Sequence, residues 1–134
     1  LFIELNGCTP MSQLYNYKNP PASAEDIAMA MQKCDIKPDA WIIRFWAQCD
    51  GAMIEDLVII HSTDSIVERQ QAYDISASFP DHLLIGDDSG GRLVLMERTA
   101  EPRFYLQDSG NPFIEDAKVF SSLDALIKAV VEED

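Results

Sequence analysis

The sequence predicts an α+β fold in which a central antiparallel β-sheet, built as a meander, packs with about four helices. Apolar segments at 83–85, 93–96 and 103–106 are separated by short turns rich in Gly, Asp and Pro, and strands joined in this way are antiparallel neighbours. Segments with helical apolar spacing lie before and after these strands. The chain of 134 residues is predicted to form a single domain over 1–134.

The first part of the chain predicts a strand or loop followed by a helix. Residues 1–8 indicate a short strand, and the remainder of 1–22 reads as loop, with paired prolines near its end. Ser23 is a candidate N-cap, with Asp26 three residues later in the position of a capping box. One face of the helix that follows is predicted to contain Ile27, Met31 and Cys34.

A second helix is predicted from Pro38, which suits a first helical turn, to a stop near Gly51. Its apolar stripe consists of Trp41, Ile42, Phe45, Trp46 and Cys49. We expect this aromatic face to lie in the core, with a docking surface for a partner as the alternative.

Further elements follow along the chain. Residues 57–60 predict a central strand, and Ser62 or Thr63 is expected to cap a third helix. Ser121–Asp124 is a second capping pattern. The final helix carries the apolar series Leu123, Leu126, Ile127, Val130 and Val131. Residues 132–134 are acidic, which is unfavourable at a helix C-terminus, so this end is expected to fray.

Composition and charge exclude several classes of protein. Apolar residues form 47 % of the chain, which is too many for a disordered acidic polypeptide. The net charge of −13 argues against nucleic acid and anionic membranes as partners and favours a basic protein partner. Cys8, Cys34 and Cys49 form no metal or disulfide pattern, which predicts buried free thiols and a cytoplasmic location. Neither a membrane span nor a signal peptide is predicted.

The segment Gly86–Gly91 is the strongest candidate for chemistry. We interpret it as a hairpin turn in which Gly90 and Gly91 adopt positive φ and the aspartates face water. A phosphate site, a cation site held by Asp87 and Asp88, and a hydrolase at this turn are the alternatives. Its two carboxylates would repel phosphate, and it lacks the ligand spacing of a calcium loop.

His61, Asp74 and Ser89 occur in the order of a trypsin-like triad. That family needs two β-barrels, which a chain of this length with four predicted helices does not supply. His61 and His82 are interpreted as ordinary surface or edge residues, because neither has a metal ligand at suitable spacing. We therefore expect a protein that is not an enzyme and that uses no metal and no cofactor.

Three segments resemble motifs of the SUKH superfamily, the Smi/Knr-type domain. They are Pro38–Trp41 with the aromatic helix running to Asp50-Gly51-Ala52, the stretch Phe79–Gly91 with the strand after it, and Val119–Ile127. Asp50 stands where the family usually has Asn, and residues 1–22 have no counterpart. The resemblance implies a single SUKH-like domain.

The same resemblance implies a bacterial immunity protein that binds a toxin domain, such as a nuclease, and neutralises it by occlusion. The alternative it implies is a regulatory scaffold of cell-wall synthesis or signalling without a toxin partner. An acidic surface would pair with Lys and Arg of the toxin. The candidate partner-binding residues are acids in or near predicted turns: Glu55, Asp56, Asp87, Asp88, Glu115 and Asp116.

Overall fold

A computed structural model describes residues 15–133 and confirms the α+β fold. Seven antiparallel strands form one sheet in which the spatial order of the strands equals their order along the chain. The strands are β1 (Tyr15–Lys18), β2 (Ala52–Ile54), β3 (Val58–Ile60), β4 (His82–Asp88), β5 (Arg92–Glu97), β6 (Phe104–Asp108) and β7 (Lys118–Phe120). The sheet is therefore a continuous meander, with α-helices in two of its connections and after its last strand.

Helices within the described range lie between or after these strands. They are α1 (Ala24–Cys34), α2 (Trp41–Gln48), α3 (Ile66–Ala72), α4 (Ile75–Ser78) and α5 (Leu123–Glu133), with a short 3₁₀ turn at Ile114–Asp116. None of the helices in residues 15–133 combines the length and apolar composition that crossing a bilayer requires.

The main core lies between one face of the sheet and helices α1, α2, α3 and α5. Trp41 and Trp46 are both buried here, and Trp41 contacts the rings of Phe45 and Phe104. The indole of Trp46 also donates a hydrogen bond of 3.0 Å to the carbonyl of His61. The prediction that the aromatic face of α2 belongs to the core is confirmed, and this face offers no docking surface.

Within residues 15–133, a second and smaller core covers part of the other face of the sheet. This core joins Ile75 and Phe79 to Leu84, Leu95 and Tyr105 on the central strands. It lies under α4 and the 109–117 loop. The side chain of Gln107, on the same face, is held by a 2.6 Å hydrogen bond to the carbonyl of Phe113 in that loop.

The helix caps show which helix starts the local sequence predicts correctly and which it does not. The Ser23 hydroxyl accepts a hydrogen bond from the Asp26 amide, and the Ser122 hydroxyl accepts one from the Ala125 amide, so both capping predictions are confirmed. Helix α2 begins three residues after Pro38, so the assignment of Pro38 to its first turn is wrong.

The cap of α3 also differs from the prediction. It is Ser65, whose side chain makes no capping hydrogen bond, rather than Ser62 or Thr63. The Thr63 amide and hydroxyl are instead bound by the carboxylate of Asp50, at 2.6 and 2.9 Å. These bonds come from a residue 13 positions earlier in the chain, which a local capping pattern does not include.

The sequence prediction missed β1, β2, β7 and α4, which are three or four residues each. Elements this short carry too few residues to show a periodicity. β1 falls within the segment interpreted as loop. The strand predicted at residues 1–8 lies outside the described residues. The predicted buried thiols are confirmed for Cys34 and Cys49, both of which are free; burial raises the pKa of Cys49 to about 11.

Candidate functional site

The meander brings the candidate acids together at one end of the sheet. In an antiparallel meander every second turn lies at the same end, so the β2–β3, β4–β5 and β6–β7 connections are neighbours. Val58 pairs with Asp88, and Arg92 pairs with Asp108, which places these three connections side by side. We call this the acidic end. Its carboxylates are Glu55, Asp56, Asp87, Asp88, Asp108, Glu115, Asp116, Glu132 and Glu133.

The β2–β3 turn displays two of these acids on a strained backbone. Glu55 and Asp56 both have φ of 57°, and the Leu57 amide donates to the Ile54 carbonyl at 3.1 Å. Positive φ at both central residues is characteristic of a type I′ turn, which normally contains Asn and Gly. The amide of Asp56 donates to the Asn16 side chain at 2.6 Å. The turn is therefore held by β1, and Asp56 is exposed.

At the β4–β5 turn, the expectation that both aspartates face water is wrong for Asp88. Strand β4 continues through Asp88, and this side chain is only 2 % exposed. Its carboxylate accepts hydrogen bonds from the Gly90 amide at 3.0 Å and from the Arg92 amide and Nε, both at 2.7 Å. Only Gly91 takes the predicted positive φ, at 83°. Asp88 therefore builds the turn and offers little surface to a partner.

Arg92 links this turn to the end of α5. Its guanidinium also bonds both carboxylate oxygens of Glu133, and Lys118 Nζ lies 3.1 Å from the same carboxylate. Hydrogen bonds from Arg92 and Lys118 lower the pKa of Glu133 to about 2. Helix α5 continues to Glu133, where these two cations offset the unfavourable charge at its C-terminus. Asp134, the last residue of the end that was expected to fray, lies outside the described residues.

Asp87 points to the face of the sheet opposite to that of Asp88, and it lies there beside a buried histidine. His61 Nε2 is 3.2 Å from an Asp87 oxygen, without the alignment of a hydrogen bond. His61 is only 5 % exposed, so the interpretation as a surface residue is wrong, and the alternative of a residue at a strand edge holds. It follows β3 directly, and its amide donates to Ile85, which extends the β3–β4 pairing. Asp87 keeps 28 % of its side chain exposed.

The β6–β7 loop presents two further candidate acids. Glu115 and Asp116 are both exposed in the 3₁₀ turn. The Asn111 side chain donates to Asp116 at 3.0 Å and accepts from the Phe113 amide at 2.8 Å, so the loop is internally braced. The structure thus places five of the six predicted acids at exposed or half-exposed positions around one end of the sheet, and Asp88 beneath them.

Sequence reasoning missed three members of this end, which are Asp108, Glu132 and Glu133. Asp108 ends β6 and Glu133 ends α5. The signal available for Asp108 was its position between a predicted strand and a predicted turn. No local signal marks Glu133, because its neighbours at this end come from β5 and β7.

Gly86 explains why β3 and β4 approach closely next to the acidic end. A Cβ atom at this position would lie 2.2 Å from the carbonyl oxygen of Ile59, a backbone atom that cannot move aside cheaply. Only glycine therefore fits between these strands. Gly110, in the β6–β7 loop, has no atom within 4 Å of the corresponding position.

A groove of about 520 Å³ lies at the opposite end of the sheet, between α1, α3 and the start of α4. Lys33, Asp35, Asp74 and Arg98 line it, so it carries both signs of charge. Arg98 uses Nη1 to bind the carbonyls of Cys34 and Asp35, at 2.7 and 2.9 Å, and so closes the end of α1.

Within residues 15–133, no group of three or more His, Cys, Asp or Glu side chains is arranged to hold a metal ion. The three residues in triad order lie on three different elements. His61 directly follows β3, Asp74 precedes α4, and Ser89 lies in the β4–β5 turn. His61 contacts Asp87, not Asp74. No family model and no curated protein matches this chain.

Proposed function

We propose that this protein is a binding domain for a basic protein partner, and that the partner docks on the acidic end. The observation that carries the proposal is the convergence of acids from three separate turns at one end of the sheet. Among the described residues at this end the cations are Arg92 and Lys118, and both are already paired with Glu133. The exposed carboxylates therefore form a negative surface that favours a partner rich in Lys and Arg.

The biological role that we propose is that of an immunity protein. The partner is then a toxin domain, and the acidic end covers the cationic surface with which the toxin holds its substrate. A toxin that acts on nucleic acid needs such a surface, because phosphate binding requires Lys and Arg. The resemblance to SUKH immunity proteins supports the same role. A regulatory scaffold would use the same surface but would not protect cells from its partner.

The test starts with co-purification of the chain from its native host and identification of the bound protein. Binding of the purified partner is then compared between two sets of substitutions that change the net charge equally. The first set, Asp56→Asn, Asp87→Asn and Glu115→Gln, neutralises the acidic end and leaves Asp88 in place. The second set, Asp39→Asn, Asp81→Asn and Glu101→Gln, neutralises exposed acids outside that end.

We expect the first set to slow association about fivefold at low salt, and the second set to have a much smaller effect. Association of the unchanged protein is expected to slow as salt rises, because exposed charges are screened. Equal effects of the two sets would show that the acidic end is not the binding site. Co-expression with the partner then separates the roles: protection of growth supports immunity, and lack of protection against a toxic partner contradicts it.

A further inference from the structure

A row of apolar side chains crosses β1, β2 and β3 on the second face of the sheet. Tyr17 pairs with Met53, Met53 pairs with Ile59, and Ile59 pairs with Asp87. Residues paired directly across strands have neighbouring side chains on one face, about 5 Å apart. The three apolar members therefore form one contiguous strip that ends at a carboxylate of the acidic end. We call Tyr17, Met53 and Ile59 the apolar row.

The row is uncovered among the described residues. Tyr17 is 47 % exposed, and Met53 and Ile59 are half-buried. None of the three belongs to either core cluster. On the same face, the smaller core under α4 and the 109–117 loop includes residues of β4, β5 and β6, and none of its members lies on β1, β2 or β3. Single exposed apolar residues are ordinary, whereas a contiguous strip bordered by polar groups is typical of an interaction surface.

We propose that the apolar row is the anchor site for an apolar side chain of the basic partner, with the acidic end as its charged rim. This inference rests on the proposed function and names the chemistry of the docking segment: an apolar residue flanked by Lys or Arg. Binding energy concentrates where apolar side chains are buried at the centre of an interface, and charged groups around them set orientation and association rate.

Charge decides which occupant fits the row. Asp87 lies at one end of the row with 28 % of its side chain exposed, and the β2–β3 turn with Glu55 and Asp56 borders it. A cation beside the anchoring residue meets these carboxylates. A second copy of the chain carries a net charge of −13 and would bring the same carboxylates toward one another. A basic segment of another protein is therefore the complementary occupant.

Methyl NMR of the full chain tests the proposal, because its methionine methyl groups report on different parts of the molecule. Met53 lies in the row, Met29 is 51 % exposed on α1, and Met96 is fully buried. The probes are short peptides in which Lys alternates with Leu, Lys alternates with Ser, or Glu alternates with Leu. We expect the Lys–Leu peptide to shift the Met53 methyl at least threefold more than the Met29 methyl, with Met96 unmoved.

A pair of variants then distinguishes binding at the apolar row from non-specific binding of the peptide elsewhere on the surface. Tyr17→Ser combined with Ile59→Thr is expected to weaken binding of the Lys–Leu peptide about fivefold, while the matched change Met29→Ser leaves it unaltered. An unchanged Met96 resonance shows that each variant is folded.

The remaining outcomes overturn the inference, and they distinguish it from the proposed function. Equal binding of the Lys–Ser and Lys–Leu peptides, without a shift at Met53, would refute the anchor and leave the acidic end as the site. Binding of neither Lys peptide would contradict both. A Met53 shift that depends on protein concentration alone would assign the row to a second copy. Magnetisation transfer from residues 1–14 to Met53 would assign it to the chain itself.

Discussion

The two ends of the sheet use their charges differently. At the opposite end the arginines bind backbone carbonyls of the fold itself. Arg98 binds the carbonyls of Cys34 and Asp35. Arg44 binds the carbonyl of Ala100 at 2.7 Å. Arg103 is paired with Glu97 at 2.6 Å. At the acidic end, Arg92 and Lys118 face a larger number of carboxylates. The negative charge of the chain is thus concentrated by the fold rather than spread evenly.

The difference shows how connection type controls a surface. The acidic end consists of tight turns and one longer loop, whereas the opposite end carries the helical connections. Helix termini expose carbonyls that arginines can bind, as α1 does with Arg98. Tight turns have fewer such groups, and acidic side chains placed there remain available to solvent or to a partner. Substitutions at matched positions of the two ends test this comparison.

The largest expected effect comes from Arg92→Leu at the acidic end, compared with Arg98→Leu at the opposite end. Loss of Arg92 leaves the buried Asp88 carboxylate without its charged partner, so we expect the free energy of unfolding to fall by about 2–3 kcal/mol. Loss of Arg98 leaves neutral carbonyls, which should cost about 1 kcal/mol. Urea unfolding measures both. Equal losses would show that Asp88 does not depend on Arg92.

A smaller effect is expected from Asp56→Gly and Asp35→Gly, which place glycine at left-handed positions of the two ends. Asp56 has φ of 57° in the β2–β3 turn, and Asp35 has φ of 54° after α1. Glycine adopts this conformation without steric cost, so each substitution is expected to raise the free energy of unfolding by about 0.5 kcal/mol.

Only the first of these glycine substitutions is expected to weaken binding of the Lys–Leu peptide. The two changes remove the same charge and relieve the same backbone conformation, so their difference in binding isolates the position. Equal binding by the two variants would remove Asp56 from the interface, and destabilisation by either would contradict the steric argument.

The smallest effect is expected on the stability of the protein at low pH. Hydrogen bonds from Arg103 lower the pKa of Glu97 from 4.5 to about 2, at the opposite end. A lowered pKa in the folded state means that the unfolded chain binds the proton first as the pH falls. This contribution to stability is therefore complete above about pH 4.5 and is lost as the pH falls toward 2.

Glu97→Gln should flatten the decline of stability over this acid range, as measured by thermal unfolding at successive pH values. Glu133→Gln should do the same at the acidic end, since the pKa of Glu133 is also about 2. If neither variant changes the slope, these ion pairs do not persist in solution.

The predictable parts of the fold were those with local signals. The caps at Ser23 and Ser122, the apolar face of α5 and the central strands follow from the order of residues alone. β1 and β7 were missed because three or four residues are assigned to strands by their neighbours across the sheet, not by their own pattern. Pro38 was misplaced because its suitability for a first turn does not determine where the next helix begins.

The candidate site shows the same division. All six proposed acids were identified as residues in or near turns, and the structure exposes five of them in whole or in part. Asp88 and Asp87 are adjacent and chemically identical in the sequence. They point to opposite faces of β4, so that one is bound by Arg92 and the other lies beside His61. Successive side chains of a strand point to opposite faces of the sheet. Because β4 continues through Asp88, this alternation separates the two aspartates.

The α+β class, the excess of negative charge and the residue types in each turn follow from the order of residues, because they depend on composition and on neighbours along the chain. Folding in three dimensions places three acidic turns at one end, Asp88 beneath them, and Tyr17, Met53 and Ile59 in one row. These are properties of strand order and register. Register is set by cross-strand packing among residues that are distant in sequence.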